Sequence, residues 1–367
     1  MLRSGTSLAQ ILLTNHPQLF VARQPFFQLY VDVRRIFIEE HGLTKILPLD
    51  DEMDSDADER RLFKRWLGKR EFDRSETDRL VADAASGKGG GAGELTGTMA
   101  ARPGTFHDIS RQLHALLAER LGRGSSRYIG SKEVLCEAYV PALLEASTRC
   151  LMIVRDPRAV IASASHGRYL QSVGDRYPLL MLIRLWRKSA AYWLAFRDHP
   201  GVHAIRYEDL VQSPNDVLRG IATWLGVREF PDDLPRRPLR DHAGNMWQGN
   251  SSFGDKIGVE PSGHEAWRKL LDPGEIRFIE ACTKPEMTVL GYSINSDLSS
   301  SDITTFVEDV SGVRAAYLSS YRMDSDNRAL EAQRWELGER GAFDGVLAAR
   351  LFLFPDAYAG RPVARRG

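Results

Sequence analysis

The sequence predicts an α/β fold, a parallel sheet flanked by helices. Short apolar runs alternate with helical patterns, the order expected of strand–helix–strand units. One run, Cys150-Leu151-Met152-Ile153-Val154, is apolar throughout and bounded by charge, which suits a strand buried on both faces. Each predicted strand also delivers a charged segment at its carboxyl end, where ligands collect in open parallel sheets.

The first stretch, Leu2-Arg3-Ser4-Gly5-Thr6-Ser7, turns straight into a helical pattern in which Leu8, Ile11, Leu12 and Leu13 favour one side. The first amides of such a helix lack intrahelical partners, and its dipole favours negative charge. Gly5 lets an anion approach the backbone, Arg3 adds a forked permanent cation, and Ser4, Thr6 and Ser7 add hydroxyls. The stretch reads as a phosphate or sulfate cradle, or more plainly as a capped helix. A phosphate loop of this kind stands at the end of a buried strand, yet only Met1 and Leu2 precede Arg3. Either a first strand lies outside this sequence or the sheet does without it.

Residues 25–42 read as a helix with Phe27, Tyr30, Val31 and Phe37 as its core stripe. Residues 49–121 form a charged, helix-rich insert, with Asp51 to Asp58 as a solvated face and the glycine run 86–93 as a linker. His107 and His114 share a helix face there and read as surface or core residues. Arg127 to Gly130 is a short strand leading to Ser131-Lys132-Glu133, and Tyr139 to Ala146 is a helix. After Val154 comes Arg155-Asp156-Pro157-Arg158, where Pro157 suits the first turn of a helix reaching Arg168. A helix over 180–198 precedes the strand Val202 to Ile205, which delivers Arg206-Tyr207-Glu208-Asp209-Leu210. Glu208 and Asp209 read as caps of the following turn. Ser213-Pro214 opens a helix ending near Gly226, and residues 326–352 read as an amphipathic helix.

At 367 residues the chain can bury one large core and a small appendage. Its 49 Lys and Arg balance 49 Asp and Glu, so no global field draws it to nucleic acid, and any anion site is local. Cys136, Cys150 and Cys282 have neither disulfide-framework nor zinc-ligand spacing, and no metal is expected; Cys150 reads as a small buried residue. No apolar stretch reaches the ~18 residues of a membrane span. The run Leu179 to Leu185 is short and holds Arg184. With no signal peptide ahead of the first motif, the reading is a soluble cytoplasmic protein.

Three separated segments together resemble the sulfotransferase family that uses 3′-phosphoadenosine 5′-phosphosulfate (PAPS) as donor. Arg3 to Leu8 with Asn15-His16-Pro17 looks like the loop that cradles the 5′-phosphosulfate. Val154-Arg155-Asp156-Pro157-Arg158 through Ser163 looks like the 3′-phosphate motif, and Arg206 to Leu210 with Leu225-Gly226 like the adenine-side segment. A fourth match, Trp267-Arg268-Lys269-Leu270 through Leu290-Gly291-Tyr292, is similar to the family's C-terminal loop and helix. The resemblance implies a three-layer, P-loop NTPase-like domain over residues 1–295, carrying the helical insert, with 296–367 as a C-terminal helical extension. It implies a donor site of Arg3, Ser4, Gly5, Thr6, Ser7, Arg155, Ser163 and Tyr207, with Arg3 and Lys132 stabilising the transferring group. PAPS has two anionic centres, so two cationic pockets should lie a nucleotide's width apart on one rim of the sheet.

The chain departs from the family pattern in two places. Gln24-Pro25 stands where many members place Glu-Pro, and Lys132-Glu133-Val134 replaces a Lys-Thr-Pro-like turn. Glutamine cannot accept a proton. Glu133, Glu137 or His166 could take the role, the acceptor could need no base, or the protein could bind PAPS without turnover. Asn250-Ser251-Ser252 with Phe253 lies where the family has a loop closing over the nucleotide. The implied partners are a small-molecule donor and a hydroxyl or amine acceptor of unread class, whether carbohydrate, lipid, peptide or metabolite. A nucleotide kinase is disfavoured because the first loop lacks Gly-x-x-x-x-Gly-Lys-Ser/Thr. The remaining alternative is a non-catalytic nucleotide-binding protein of the same fold.

Overall fold

The computed structural model describes residues 3–44, 57–86, 99–166, 168–241, 244–247, 249, 259 and 265–359. The first helix, α1 (Thr6–Thr14), begins at Gly5, whose φ of +89° is a conformation glycine adopts without strain. It lies against β1 (Leu19–Arg23), a strand the sequence reading does not contain. Then follow α2 (Phe27–Glu40), within its predicted range, and the insert: α3 (Ala57–Lys69), β2 (Glu71–Phe72), α4 (Arg74–Ala85), β3 (Gly104–Thr105) and α5 (Phe106–Arg120). Capping boxes Asp73/Glu76 and Thr105/Asp108 start α4 and α5. The insert's Phe63, Leu80, Phe106 and Leu113 bury together with Phe37 and Tyr139 in one cluster, so it shares the main core.

Next come β4 (Tyr128–Lys132), α6 (Val140–Glu145), β5 (Cys150–Val154), α7 (Pro157–Ser165), α8 (Arg168–Val173), α9 (Leu179–Phe196) and β6 (Val202–Arg206). The chain continues through α10 (Tyr207–Gln212) and α11 (Pro214–Leu225). It ends with α12 (Pro273–Leu290), α13 (Ser301–Thr304), α14 (Ala315–Tyr321), α15 (Ser325–Arg340) and α16 (Gly345–Leu351).

The expected mixture of parallel strands and helices is present. Among the described residues the strands form two parallel pairs rather than one hydrogen-bonded sheet. β1 pairs with β4 from Leu19–Tyr128 to Arg23–Lys132, and β5 pairs with β6 from Cys150–Val202 to Val154–Arg206. A two-residue antiparallel ribbon joins β2 and β3.

Four local expectations are corrected. The helix opened by Pro157 stops at Ser165, because His166 is extended (ψ 159°). The helix expected over 326–352 is broken by Gly341 in the left-handed region (φ +61°). The face α15 buries is not an apolar stripe: it holds Glu331 and Arg334 beside Trp335. Cys150 is half-buried rather than buried, although its surroundings still push the thiol up to about 12. The glycine run 87–93 and the loop Asn250 to Phe253 lie outside the described residues.

The C-terminal helices are tied down by charge. Glu331 accepts from Arg187 Nη2 at 3.1 Å and from Arg184 Nε at 3.1 Å. Arg334 pairs with Glu286, which also accepts from Tyr358 Oη at 2.8 Å. All five of these charged side chains are buried. Among the described residues, no helix is long and apolar enough to cross a membrane, and no group of His, Cys, Asp and Glu is placed to hold a metal ion.

Candidate anion site at the carboxyl ends of the strands

The two corners singled out by the sequence meet. Arg3 Nε donates to Ser163 Oγ at 3.0 Å, and Arg155 Nη1 donates to the Arg3 carbonyl at 3.2 Å. The opening turn and the first helix after β5 therefore share one rim, in direct contact rather than spaced as two pockets. The Arg155 guanidinium lies 4.3 Å from the centre of the Tyr207 ring. Gly5 packs on the same ring: a Cβ there would stand 2.1 Å from Tyr207 Cδ2. Tyr207 is thus wedged between the two corners. The turn needs glycine twice, for its backbone angle and for this approach.

Arg155 is 8% exposed, and among the described residues it has no carboxylate partner. Its Nε is buried without a hydrogen bond. The adjacent Asp156 does not neutralise it. Asp156 caps α7 and pairs with Arg158, which also reaches Glu280 at 2.5 Å. Trp186 Nε1 donates to the Arg155 carbonyl at 2.9 Å and so fixes the strand end. A buried cation with only neutral oxygens and a ring around it is unfavourable unless an anion joins it. The start of α1 faces the same place, with no acidic residue in its first turn. Ser4 is fully buried, while Arg3, Thr6 and Ser7 are half-buried.

Residues 1–232, well over half of the chain, match the protein-family model described as "Sulfotransferase family". The chain belongs to the sulfotransferase family. Among solved structures it is similar to the sulfotransferase domain from the curacin biosynthetic pathway, with TM-score 0.46 and 19% identity over 80% of this chain and 95% of that one. It is also similar to the sulfotransferase domain from the Synechococcus PCC 7002 olefin synthase, with TM-score 0.40 and 20% identity over 74% of this chain and 86% of that one. No curated protein matches the sequence.

The second half of the rim is formed by β1 and β4. Lys132 ends β4, and its Nζ donates to Gln24 Oε1 at 3.1 Å. Gln24 holds a left-handed backbone (φ +50°), which aims its amide at that lysine. Burial lowers the Lys132 pKa, and the nearby Arg23 and Arg3 add to that, against the opposing charge of Glu133. Arg3 therefore lies within electrostatic reach of both strand pairs. Burial raises Glu133 above the usual carboxylate range. One of its oxygens accepts from the Phe26 amide at 3.3 Å and the other has no hydrogen-bond partner.

The remaining base candidates stand apart from this group. Glu137 is buried, bonded by Ser189 and facing Lys188 at 3.8 Å. His166 follows α7, its Nδ1 buried without a partner. His114 is half-buried: it contacts Ser131 Oγ at 2.9 Å and the Phe26 ring, and burial lowers it to about 4.

One brace escaped the sequence reading. Glu208 reaches beyond its own turn. It accepts from the Asp156 amide at 3.0 Å and from Tyr292 Oη at 3.1 Å. It thereby ties β6 to the end of β5, while Arg206 lies 4.4 Å over the Tyr292 ring. Glu208 follows the Tyr207 that braces Arg155. That adjacency was the available signal, but nothing local names Asp156 as its partner.

Proposed function

We propose that this chain transfers a sulfuryl group from PAPS to a hydroxyl or amine acceptor, within a P-loop-like three-layer domain of which the two parallel pairs are the halves. The observation that carries this is Arg155, a guanidinium buried at the rim where α1 begins and, among the described residues, without a carboxylate partner. The residues fit the donor's chemistry: Arg155 Nε awaits an acceptor, and the α1 start, Arg3 and Ser163 crowd beside it. When bound, PAPS supplies the sulfuryl group and a phosphate leaving group. Arg3, Ser4, Gly5, Thr6 and Ser7 hold its 5′ side through amides, hydroxyls and one cation. Arg155 and Ser163 hold the 3′-phosphate, Arg3 turning away from Ser163 to admit it. Tyr207 keeps Gly5 and Arg155 in register beside the nucleoside. Arg3 and Lys132 stabilise charge that develops during transfer.

Glu133 is the base this reading assigns. It adjoins Lys132, and its raised pKa brings a carboxylate nearer the ideal for a base working at neutral pH. Gln24 serves instead to position the Lys132 ammonium. The test pairs adenosine 3′,5′-bisphosphate titration with transfer from radiolabelled PAPS to carbohydrate, lipid, peptide and small-metabolite acceptors. Binding that is lost in Arg155→Ala, with transfer lost in Glu133→Gln, supports the reading. Binding without transfer to any acceptor would favour the non-catalytic alternative, and binding unchanged in Arg155→Ala overturns the donor site.

A further inference from the structure

A short chain of polar groups runs from α5 towards Glu133. His114 Nδ1 stands 2.7 Å from the carbonyl oxygen of Ser110, one helical turn earlier. A carbonyl oxygen only accepts, so Nδ1 carries the imidazole proton. The Ser110 hydroxyl, 3.4 Å from the same nitrogen, can accept from it as well. Burial keeps the ring neutral at ordinary pH, which leaves Nε2 a bare acceptor. Its partner is the Ser131 hydroxyl at 2.9 Å, and that hydroxyl must therefore donate. A serine has one hydroxyl proton. Once it is given to His114, Ser131 has only lone pairs to offer any other neighbour.

Glu133 is such a neighbour. Ser131 lies in β4 and Glu133 directly follows that strand, so the alternation of an extended chain puts both side chains on one side. The Ser131 hydroxyl is near enough to act on the Glu133 carboxylate. A hydroxyl donating to that carboxylate would favour its charged form. Yet Glu133 Oε2 is buried without a hydrogen bond, while Oε1 accepts from the Phe26 amide at 3.3 Å. This is the arrangement expected when the serine proton points to the histidine. The other groups around Glu133 do not replace it. Lys132 attracts Glu133 but donates to Gln24, and Arg3 and Arg23 act on Lys132. The Tyr30 hydroxyl on α2 and the Cys136 thiol in the following loop are held neutral, chiefly by burial and then by Glu133 itself. Phe26 offers His114 a ring, edge-on at 4.7 Å.

We propose that His114 is a positioning residue for the base: by taking the one proton of Ser131, it withholds a hydrogen bond from Glu133 and leaves that carboxylate free to take the acceptor's proton. The proposal rests on the reading of Glu133 as the base and deepens it. His114 touches no reacting atom and acts through Ser131. When the acceptor's proton has passed to Glu133 Oε2, the new carboxyl O–H can donate to the Ser131 oxygen, whose own proton stays with His114.

The test follows Glu133 itself and needs neither donor nor acceptor. In the full chain labelled with isotopic glutamate, the carboxyl resonance missing from Glu133→Gln is that of Glu133, and its titration midpoint is read by NMR. His114→Phe frees the serine proton, so the midpoint should fall by about one pH unit, or about tenfold in proton affinity. Ser131→Ala should leave the midpoint where the parent has it. His114→Phe combined with Ser131→Ala should bring it back, a rescue that a histidine serving only packing would not show. In the parent, nitrogen NMR should find Nδ1 of His114 protonated and Nε2 bare, a reading that stands even where a variant does not fold. Nε2 protonated at neutral pH, a midpoint unmoved in His114→Phe, or no rescue in the double variant overturns the proposal. The base is judged separately, by transfer from radiolabelled PAPS. A midpoint that moves as expected while transfer survives Glu133→Gln upholds the link to His114 and overturns Glu133 as base. A midpoint that does not move while Glu133→Gln abolishes transfer keeps the base and overturns the role of His114.

Discussion

Two of the regions that bury arginines give them different company. Under the C-terminal helices, Arg184, Arg187 and Arg334 face Glu331 and Glu286. At the strand ends, Arg155 faces a carbonyl and an aromatic ring. The first set is neutralised within the fold and behaves as structure. The second has no carboxylate partner among the described residues, an arrangement a folded chain tolerates where a ligand brings the counter-charge. Burial alone does not separate the two kinds of arginine; the partner does.

The comparison breaks most visibly at Glu331. Glu331→Ala strands two arginines in the core and should lower unfolding free energy by about 3–5 kcal/mol, read from urea denaturation. Burial by itself would raise the Glu331 pKa, but Arg187 and Arg184 hold it down to about 2. A lowered carboxyl pKa stabilises the fold above the unfolded value near 4.5, and that stability is lost as pH falls toward 2. The urea midpoint should therefore drop steeply below pH 4.5, and less steeply in Glu331→Gln.

Gly5→Ala comes next. It sets a left-handed alanine against Tyr207 and should destabilise by about 1–3 kcal/mol. A calorimetric Tm within 1 °C of the parent would show that the wedge between the two corners is dispensable. Arg155→Ala should then reverse the pattern of Glu331→Ala: stability within about 1 kcal/mol of the parent, because a desolvated cation is removed, but bisphosphate affinity weaker at least tenfold, about 1.4 kcal/mol. A stability loss as large as that of Glu331→Ala would erase the distinction between the regions.

The smallest effect concerns pH. The Lys132 pKa lies below the ordinary lysine range, mainly through burial, so its positive charge is lost as pH rises through that lowered value. Bisphosphate affinity should fall a few-fold on going to alkaline pH, and Lys132→Arg should flatten the profile in isothermal titration.

How much of this was legible depends on distance along the chain. β5 was readable to the residue, because five apolar residues between charges have few other uses. α11 was readable from the proline that opens it and the left-handed Gly226 that closes it. β1 was not: Leu19 to Arg23 becomes a strand by pairing with β4, more than a hundred residues later. The charged face of α15 was invisible for the same reason, since its partners lie on α9 and α12. At the site, Arg3 and Gly5 could be named from local chemistry, and Arg155 and Ser163 from the family resemblance. The bond from Gln24 to Lys132 and the brace through Glu208 could not.

The sequence by itself determined the class of fold and an anion-seeking turn, because helix starts, glycine angles and apolar runs are local physics. Only the tertiary structure decided which arginines are neutralised and which strands pair. Coulombic pairing and desolvation depend on what packing brings within a few ångströms, and that is settled by residues far apart in the chain.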